Sequence, residues 1–456
     1  MFDYNLKHKV KNFVQFHANF PFFIKEFYYF CFRKIGKKPF ISIMLQIIYY
    51  AIITILIVDF GLERILGYLN IKNSSNPVPS ILANIYDHEK YKQQQRYFRV
   101  NSKFGILTST FGFLISFVMF AAGGFGWLDQ VVASFTLNQT LQSLFFFAIL
   151  FFANDLLTTP FEIYDTFVIE QKFEFNKVTP KIFILDKLKG YLLTIVVGGG
   201  ILFAIISIYQ YTAEYFWLIA WAVVTAFSLF MSLFYSEIIV PLFNKQTPLP
   251  DGELRDEIQL FANKVGFKLN NIFVIDGSKR STKANAYFTG FGPKKRIVLY
   301  DTLMDKLTTQ EIVAVLAHEI GHYKHKHTLK NMLVSLPISL FMFYILGLLL
   351  SSNILALAMG GTAANFHLNV LAFGLLYTPL SLLLNLFTNR LSQKYEYQAD
   401  SFTVQHHLGD NLIAGLKKLS ATSLSNLTPH PLYVFFYYSH PTLYQRISNI
   451  NSVKIC

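Results

Sequence analysis

Residues 314–327 read AVLAHEIGHYKHKH, which sets His318 and His322 four positions apart, with Glu319 beside the first. On a helix, side chains four apart lie one above the other, so two imidazoles can share one metal ion. Glu319 projects to one side, where it can hold a water and take its proton. This is the HExxH pattern of metal-dependent hydrolases, with the Glu as general base. Zinc fits the donor set: nitrogen and oxygen ligands, no redox chemistry, and one position left for water.

A catalytic zinc needs a third protein ligand. His325 shares a face with His318 but lies one turn further along. His325 and His327 read as solvated residues or as supports behind the ligands. An extended motif with a third His requires Gly where His325 stands. The stretch SQKYEYQAD offers more, because Glu396 and Asp400 are four apart on a predicted helix and so face one way. Glu396 could complete the metal site. Asp400 could accept the free N–H of a ligating imidazole and fix its tautomer. Without the first motif, the pair would read as a solvated helix face with Lys394.

The elements that must position these residues are readable nearby. Thr308 and Glu311 fit a capping box at the start of the HExxH helix. Ile312, Val315, Leu316 and Ile320 give that helix an apolar stripe. Ahead of it, NIFVID (271–276) and RIVLYD (296–301) read as strands. AYFTGFGPKK, between them, carries Gly and Pro where a hairpin would turn.

The remainder reads as membrane. The chain is 53% hydrophobic and 15% charged, with mean hydropathy +0.38. Ordinary globular domains carry about 25% charged residues. Seven segments reach the roughly 20 apolar residues that a span needs: 41–61, 104–126, 141–160, 191–209, 216–240, 332–350 and 370–387. Lys and Arg alternate between successive loops, which puts the odd loops and the C-terminal tail in the cytosol. The first 40 residues break that alternation, being basic on the opposite side; their run NFPFFIKEFYYFCF reads as an interfacial helix. The net charge of +13 is spread between spans rather than gathered in one patch, which argues against nucleic-acid binding. Cys31 and Cys456 are too few for a disulfide framework. Four parts are expected: 1–240 with spans one to five, 241–330 with the HExxH helix, 331–387 with spans six and seven, and 388–456 supplying the third ligand.

Taken together, these motifs resemble the Ste24 family of integral-membrane CAAX prenyl proteases, in peptidase family M48. PLFNKQTPLP, FVIEQKFEFNKVTP, ANAYFTGFGPKKRIVLYDTL, KYEYQAD and YYSHPTLYQRI carry the resemblance. Where the family shows Ser-Arg ahead of its Glu ligand, this chain has Ser392-Gln393. The resemblance implies a mainly α, polytopic fold of seven transmembrane helices around an aqueous chamber, with a small α+β zincin-like unit. It makes His318, His322 and Glu396 the ligands of one Zn2+ per chain and Glu319 the general base. It also places Asn285 on an edge strand that holds substrate backbone. His440 and Arg446 fall near the zinc, where they would stabilise the oxyanion and order the site.

The implied activity is removal of the C-terminal aaX tripeptide from prenylated CaaX proteins or peptides, in the endoplasmic reticulum membrane or nuclear envelope. Membrane lipids are the other expected partners. Two further readings share some of these residues. An HtpX-like quality-control protease would use the same site but has fewer spans. A transporter or channel with a structural metal site would use intramembrane charges such as Asp155 and cleave nothing. The seven spans and PLFNKQTPLP favour the prenyl protease.

Overall fold

The computed structural model describes residues 39–267, 272–289 and 296–455. The basic aromatic N-terminal segment, residues 290–295 where the sequence suggests a hairpin turn, Cys31 and Cys456 lie outside the described residues. The helices in chain order are α1 (Pro39–Asn73), α2 (His88–Ala121), α3 (Gly124–Phe135), α4 (Gln139–Tyr164), α5 (Pro180–Leu193), α6 (Gly199–Thr212), α7 (Phe216–Ile238) and α8 (Glu253–Lys264). Then come α9 (Thr309–Lys324), α10 (His327–Leu350), α11 (Asn353–Ala358), α12 (Phe366–Gln405), α13 (Gly409–Thr422), α14 (Pro431–Tyr437) and α15 (Leu443–Ile455).

Seven helical stretches among the described residues are long and apolar enough to cross a membrane, and they run from 24 to 40 residues. At most 17% of any apolar window is buried. Side chains such as Val58, Leu333 and Leu383 stand more than half exposed. Apolar surface left uncovered on this scale suits lipid rather than water. The protein is a multi-pass integral membrane protein.

The helices depart from the apolar segments on which they were expected, mostly by running past them. The second span, expected over 104–126, ends at Ala121, because Gly123 takes a left-handed φ of 72° and starts α3 in a new direction. The seventh span, expected over 370–387, continues as one helix to Gln405. That continuation carries Glu396 and Asp400 on the same rigid element as the span. Asp155, inside the expected third span on α4, pairs with Lys187 of α5 at 2.7 Å.

The chain forms two compact units. The first comprises residues 39–61, 108–152 and 344–379. Its core holds Tyr49, Ile52, Phe120, Leu128, Phe146, Leu355 and Leu368. A buried polar cluster, with His367 Nε2 at 2.8 Å from Asp129 Oδ1 and Asn365 donating to the same oxygen at 2.9 Å, satisfies its own hydrogen bonds.

The second unit comprises 62–107, 153–343 and 380–455, and it contains the sheet. The strands are β1 (Gln246–Pro248), β2 (Ile272–Ile275), β3 (Ala286–Thr289) and β4 (Arg296–Tyr300), in the order β1-β2-β4-β3. β2 and β4 do pair, but in parallel, with Ile272 opposite Ile297. The hairpin partner of β4 is β3, with Ala286 opposite Leu299. Ile297, Val298 and Leu299 are all fully buried, as suits a central strand covered on both faces. Ile297 and Leu299 pack with Ile258 and Phe261 of α8 and with Ile312, Leu316 and Ile320 of α9. The sheet and α8 thus hold the HExxH helix by its apolar stripe.

Candidate active site

Helix α9 starts with the capping box its sequence encodes. The Thr308 side chain accepts from Glu311 N, and Glu311 Oε2 accepts from Thr308 N at 2.8 Å. Glu311 also pairs with Lys418 of α13 at 2.7 Å. Burial alone would raise the Glu311 carboxyl, but Lys418 and the Thr308 N–H hold it below the usual carboxylate range. This fixes the start of the helix two turns before its first imidazole.

Further along, Gly321 lets α9 and α12 touch. A Cβ at this position would stand 3.1 Å from Cα and 3.2 Å from O of Ala399. Backbone contact at this point brings the two His-bearing turns of α9 against the Glu396 turn of α12. His318 Nε2 and His322 Nε2 are 3.1 Å apart. Glu396 Oε2 is 3.4 Å from the first and Oε1 is 3.2 Å from the second.

Zinc bonds of about 2.0–2.1 Å in tetrahedral array place ligand atoms about 3.3–3.4 Å apart. The triangle has that size. Glu396 is 3% exposed, and its Oε2 is buried without a hydrogen-bond partner. A buried anionic oxygen without a hydrogen bond is costly, and the Arg446 guanidinium meets this one at 3.5 Å as an ion pair without hydrogen bonding to it. Burial and the Arg446 guanidinium push the His318 imidazolium down, yet Asp400 and Glu396 outweigh them and raise it to about 9. The pocket therefore favours positive charge, and the three residues form a candidate metal site.

A ring of partners surrounds the triangle. Asp400, fully buried, places Oδ1 2.9 Å from His318 Nδ1. Arg446 of α15 donates to both Asp400 oxygens, from Nε at 3.0 Å and from Nη2 at 2.5 Å. Its Nη1 is 3.5 Å from Glu396 Oε2. His440 Nδ1 lies 3.0 Å from Glu396 Oε1, with a side chain 65% exposed, so it stands at the mouth of the site. Glu319 follows His318 on α9, half-buried, and its charge is felt by Arg446.

The structure joins His318, His322, Glu396, Asp400, Arg446 and His440 in one cluster. Asn285 is placed elsewhere: it heads edge strand β3, its carbonyl accepting from Tyr300 N and its side chain from Ala286 N. Gln393 is buried and donates to the Tyr438 carbonyl at 2.9 Å, which ties α12 to the segment before His440. Sequence reasoning missed the roles of Gly321 and Gln393. Only the Gly within HEIGH carried a signal, since Gly inside a helix usually has a packing reason. Within the same unit, α7, α10, α12 and Ser439 line an open cavity of about 590 Å3, with Trp221, Leu229 and Phe343 beside Ser232, Asn331 and Asn389.

Comparison with known proteins gives the same architecture. Residues 67–245 match the family described as CAAX prenyl protease N-terminal, five membrane helices; residues 248–454 match peptidase family M48. A metallopeptidase of the M48 type, built into a multi-pass membrane protein, is the class that this fold and site define. The probable CAAX prenyl protease 1 of Schizosaccharomyces pombe is 35% identical over 398 residues, covering 82% of each chain. CAAX prenyl protease 1 of Saccharomyces cerevisiae is 33% identical over 428 residues, covering 87% of this chain and 94% of the relative. The crystal structure of S. mikatae Ste24p superimposes with a TM-score of 0.84 at 31% identity, covering 89% of this chain and 99% of that one. The chain belongs to the CAAX prenyl protease 1 (Ste24) family of M48 peptidases.

Proposed function

We propose that this protein is a zinc-dependent endopeptidase that removes the C-terminal aaX tripeptide from prenylated CaaX proteins. The observation that carries the proposal is the ligand triangle of His318, His322 and Glu396, with its unsatisfied Glu396 oxygen, in a chain 33–35% identical to CAAX prenyl protease 1 relatives. One zinc ion held there supplies Lewis acidity toward the scissile carbonyl and the attacking water. Glu319, next to the first ligand, takes the proton from that water and returns it to the leaving amine. His440, exposed beside Glu396, is placed to donate to the developing oxyanion. Arg446 holds Asp400, and Asp400 holds His318.

Among the described residues, edge strand β3 pairs with β4 on one side, which leaves its other edge for an added substrate strand, with Asn285 at its head. The cavity beside Ser439, largely apolar with hydroxyl and amide groups among its lining, offers space for peptide. A prenyl chain concentrates substrate in the bilayer at about 0.8 kcal/mol per buried CH2, which a membrane-embedded enzyme exploits. The basic odd loops place the metal-bearing segment in the cytosol, with the endoplasmic reticulum as the membrane of residence.

Two peptides test the substrate assignment: a farnesylated CaaX peptide and its unprenylated twin, with products mapped by mass spectrometry. The proposal expects a single cut after the lipidated Cys and little cleavage of the twin. Equal cleavage of both, or scattered cuts, would replace it with a quality-control protease.

A further inference from the structure

The zinc reading leaves one buried imidazole of the HEIGHYKHKH stretch unused. His327 is 2% exposed. Burying a polar ring is costly unless its nitrogens find partners, and both do. Its Nδ1 lies 3.0 Å from Nδ1 of His322. Its Nε2 lies 2.8 Å from Gln398 Oε1. Its ring stacks on Tyr395, centroids 4.1 Å apart and planes 12° from parallel. Tyr395 and Gln398 flank Glu396 on α12, so this one side chain touches both metal-bearing helices.

We propose that His327 is a positioning residue: it fixes the tautomer and orientation of His322, ties that ligand to the Glu396 turn, and thereby sets metal affinity. The inference rests on the zinc reading above.

Proton assignment follows step by step. His322 Nε2 faces the ligand triangle and must be bare to hold a metal. The His322 proton therefore sits on Nδ1. At 3.0 Å, His327 Nδ1 can only accept it. The His327 proton is then on Nε2, where it meets the Gln398 carbonyl oxygen, an acceptor. No member of the chain His322, His327, Gln398 is left a choice. His318 is held differently, by the Asp400 carboxylate. A neutral ring behind His322 orients it without adding a second negative charge beside the metal.

The backbone is arranged for this contact. On one continuous helix, residues five apart point about 140° from each other. Here α9 ends at Lys324 with His325 as its C-cap, Lys326 adopts a left-handed φ of 56°, and α10 begins at His327, turned back over His322. A non-glycine residue takes that conformation at a cost.

Two substitutions separate the acceptor from the packing. His327→Phe keeps a ring on Tyr395 and removes the acceptor. His327→Asn loses the stack but can present Oδ1 where Nδ1 stood. Zinc affinity of the full-length protein in detergent, measured by competition with a chromogenic chelator, is the readout. Outer partners of ligating imidazoles typically change metal affinity by about 10–100-fold. His327→Phe is expected to weaken zinc by that factor, and His327→Asn to restore most of it. Zinc retention by His327→Phe equal to wild type, or equal loss in both variants, would overturn the proposal. If wild type binds zinc and Glu319→Gln abolishes cleavage while His327→Phe keeps its zinc, only the positioning role falls. If wild type binds no zinc, the metal site and the positioning role fall together.

Discussion

Gly321 of α9 and Ala399 of α12 are in backbone contact: a Cβ on the glycine would stand 3.1 Å from the alanine Cα. The two ligand-bearing helices meet at that point, and a methyl group there has backbone, not a yielding side-chain tip, in its way. Gly321→Ala should therefore lower stability by about 1–3 kcal/mol through overpacking, although Ala is otherwise the better helix former. Thermal denaturation in detergent, with and without added zinc, reads this directly. A rise in melting temperature would show that the contact is slack.

Asp400 is the hinge of the ordering around His318. It accepts from Nε and Nη2 of Arg446 and faces the ring nitrogen that the metal does not use. Asp400→Asn keeps the shape and removes the charge. Zinc affinity should fall about 10–100-fold, measured by chelator competition. Unchanged affinity would mean that Arg446 and Asp400 serve only to join α15 to α12.

Glu311 makes the start of α9 sensitive to acid. Its carboxyl is held below its ordinary 4.5, despite burial, by Lys418 and the Thr308 N–H. A depressed carboxylate contributes stability above its unfolded pKa and loses that contribution as pH falls through the folded value. Glu311→Gln should destabilise by about 1–2 kcal/mol near neutral pH. The gap from wild type should close as pH drops below 4.5. Denaturation curves at neutral and acidic pH check the sign; a gap that widens in acid would contradict it.

In the other unit, Gly126 of α3 faces Gly360, whose φ is 88°. A Cβ on Gly126 would lie 2.0 Å from the Gly360 carbonyl oxygen. No rotamer relieves that overlap, so Gly126→Ala should destabilise by about 3 kcal/mol or more. Size-exclusion profiles and melting curves of the purified variant measure it; wild-type behaviour would show that the 360 turn moves freely.

Much of this was legible from local pattern. Seven apolar stretches predict the spans, because the length of a span is set by the bilayer. The Thr308–Glu311 box and the His318–His322 spacing are one-turn relationships, which sequence states directly. What escaped depends on partners distant in sequence or on breaks in regular structure. The runs at 272–275 and 296–300 read as strands, but period-two pattern does not say whether neighbours run parallel, and β4 takes its hairpin partner from 286–289 instead. His327 was readable only as a support of unstated target, since a continuous helix would have turned it away from His322. The left-handed Lys326 reverses that, and Lys carries no sequence signal for positive φ. The end of α12 was underestimated because polarity stops the membrane segment without stopping the helix.

The central claim is that Glu319 does proton chemistry at a metal held by its helical neighbours. Wild type and Glu319→Gln, purified in detergent, would be compared for zinc content and for hydrolysis of a farnesylated CaaX peptide. The account predicts about one zinc per chain in both proteins and cleavage by wild type alone. Cleavage by the variant at the wild-type rate, or a zinc-free wild type that still cleaves, would contradict it.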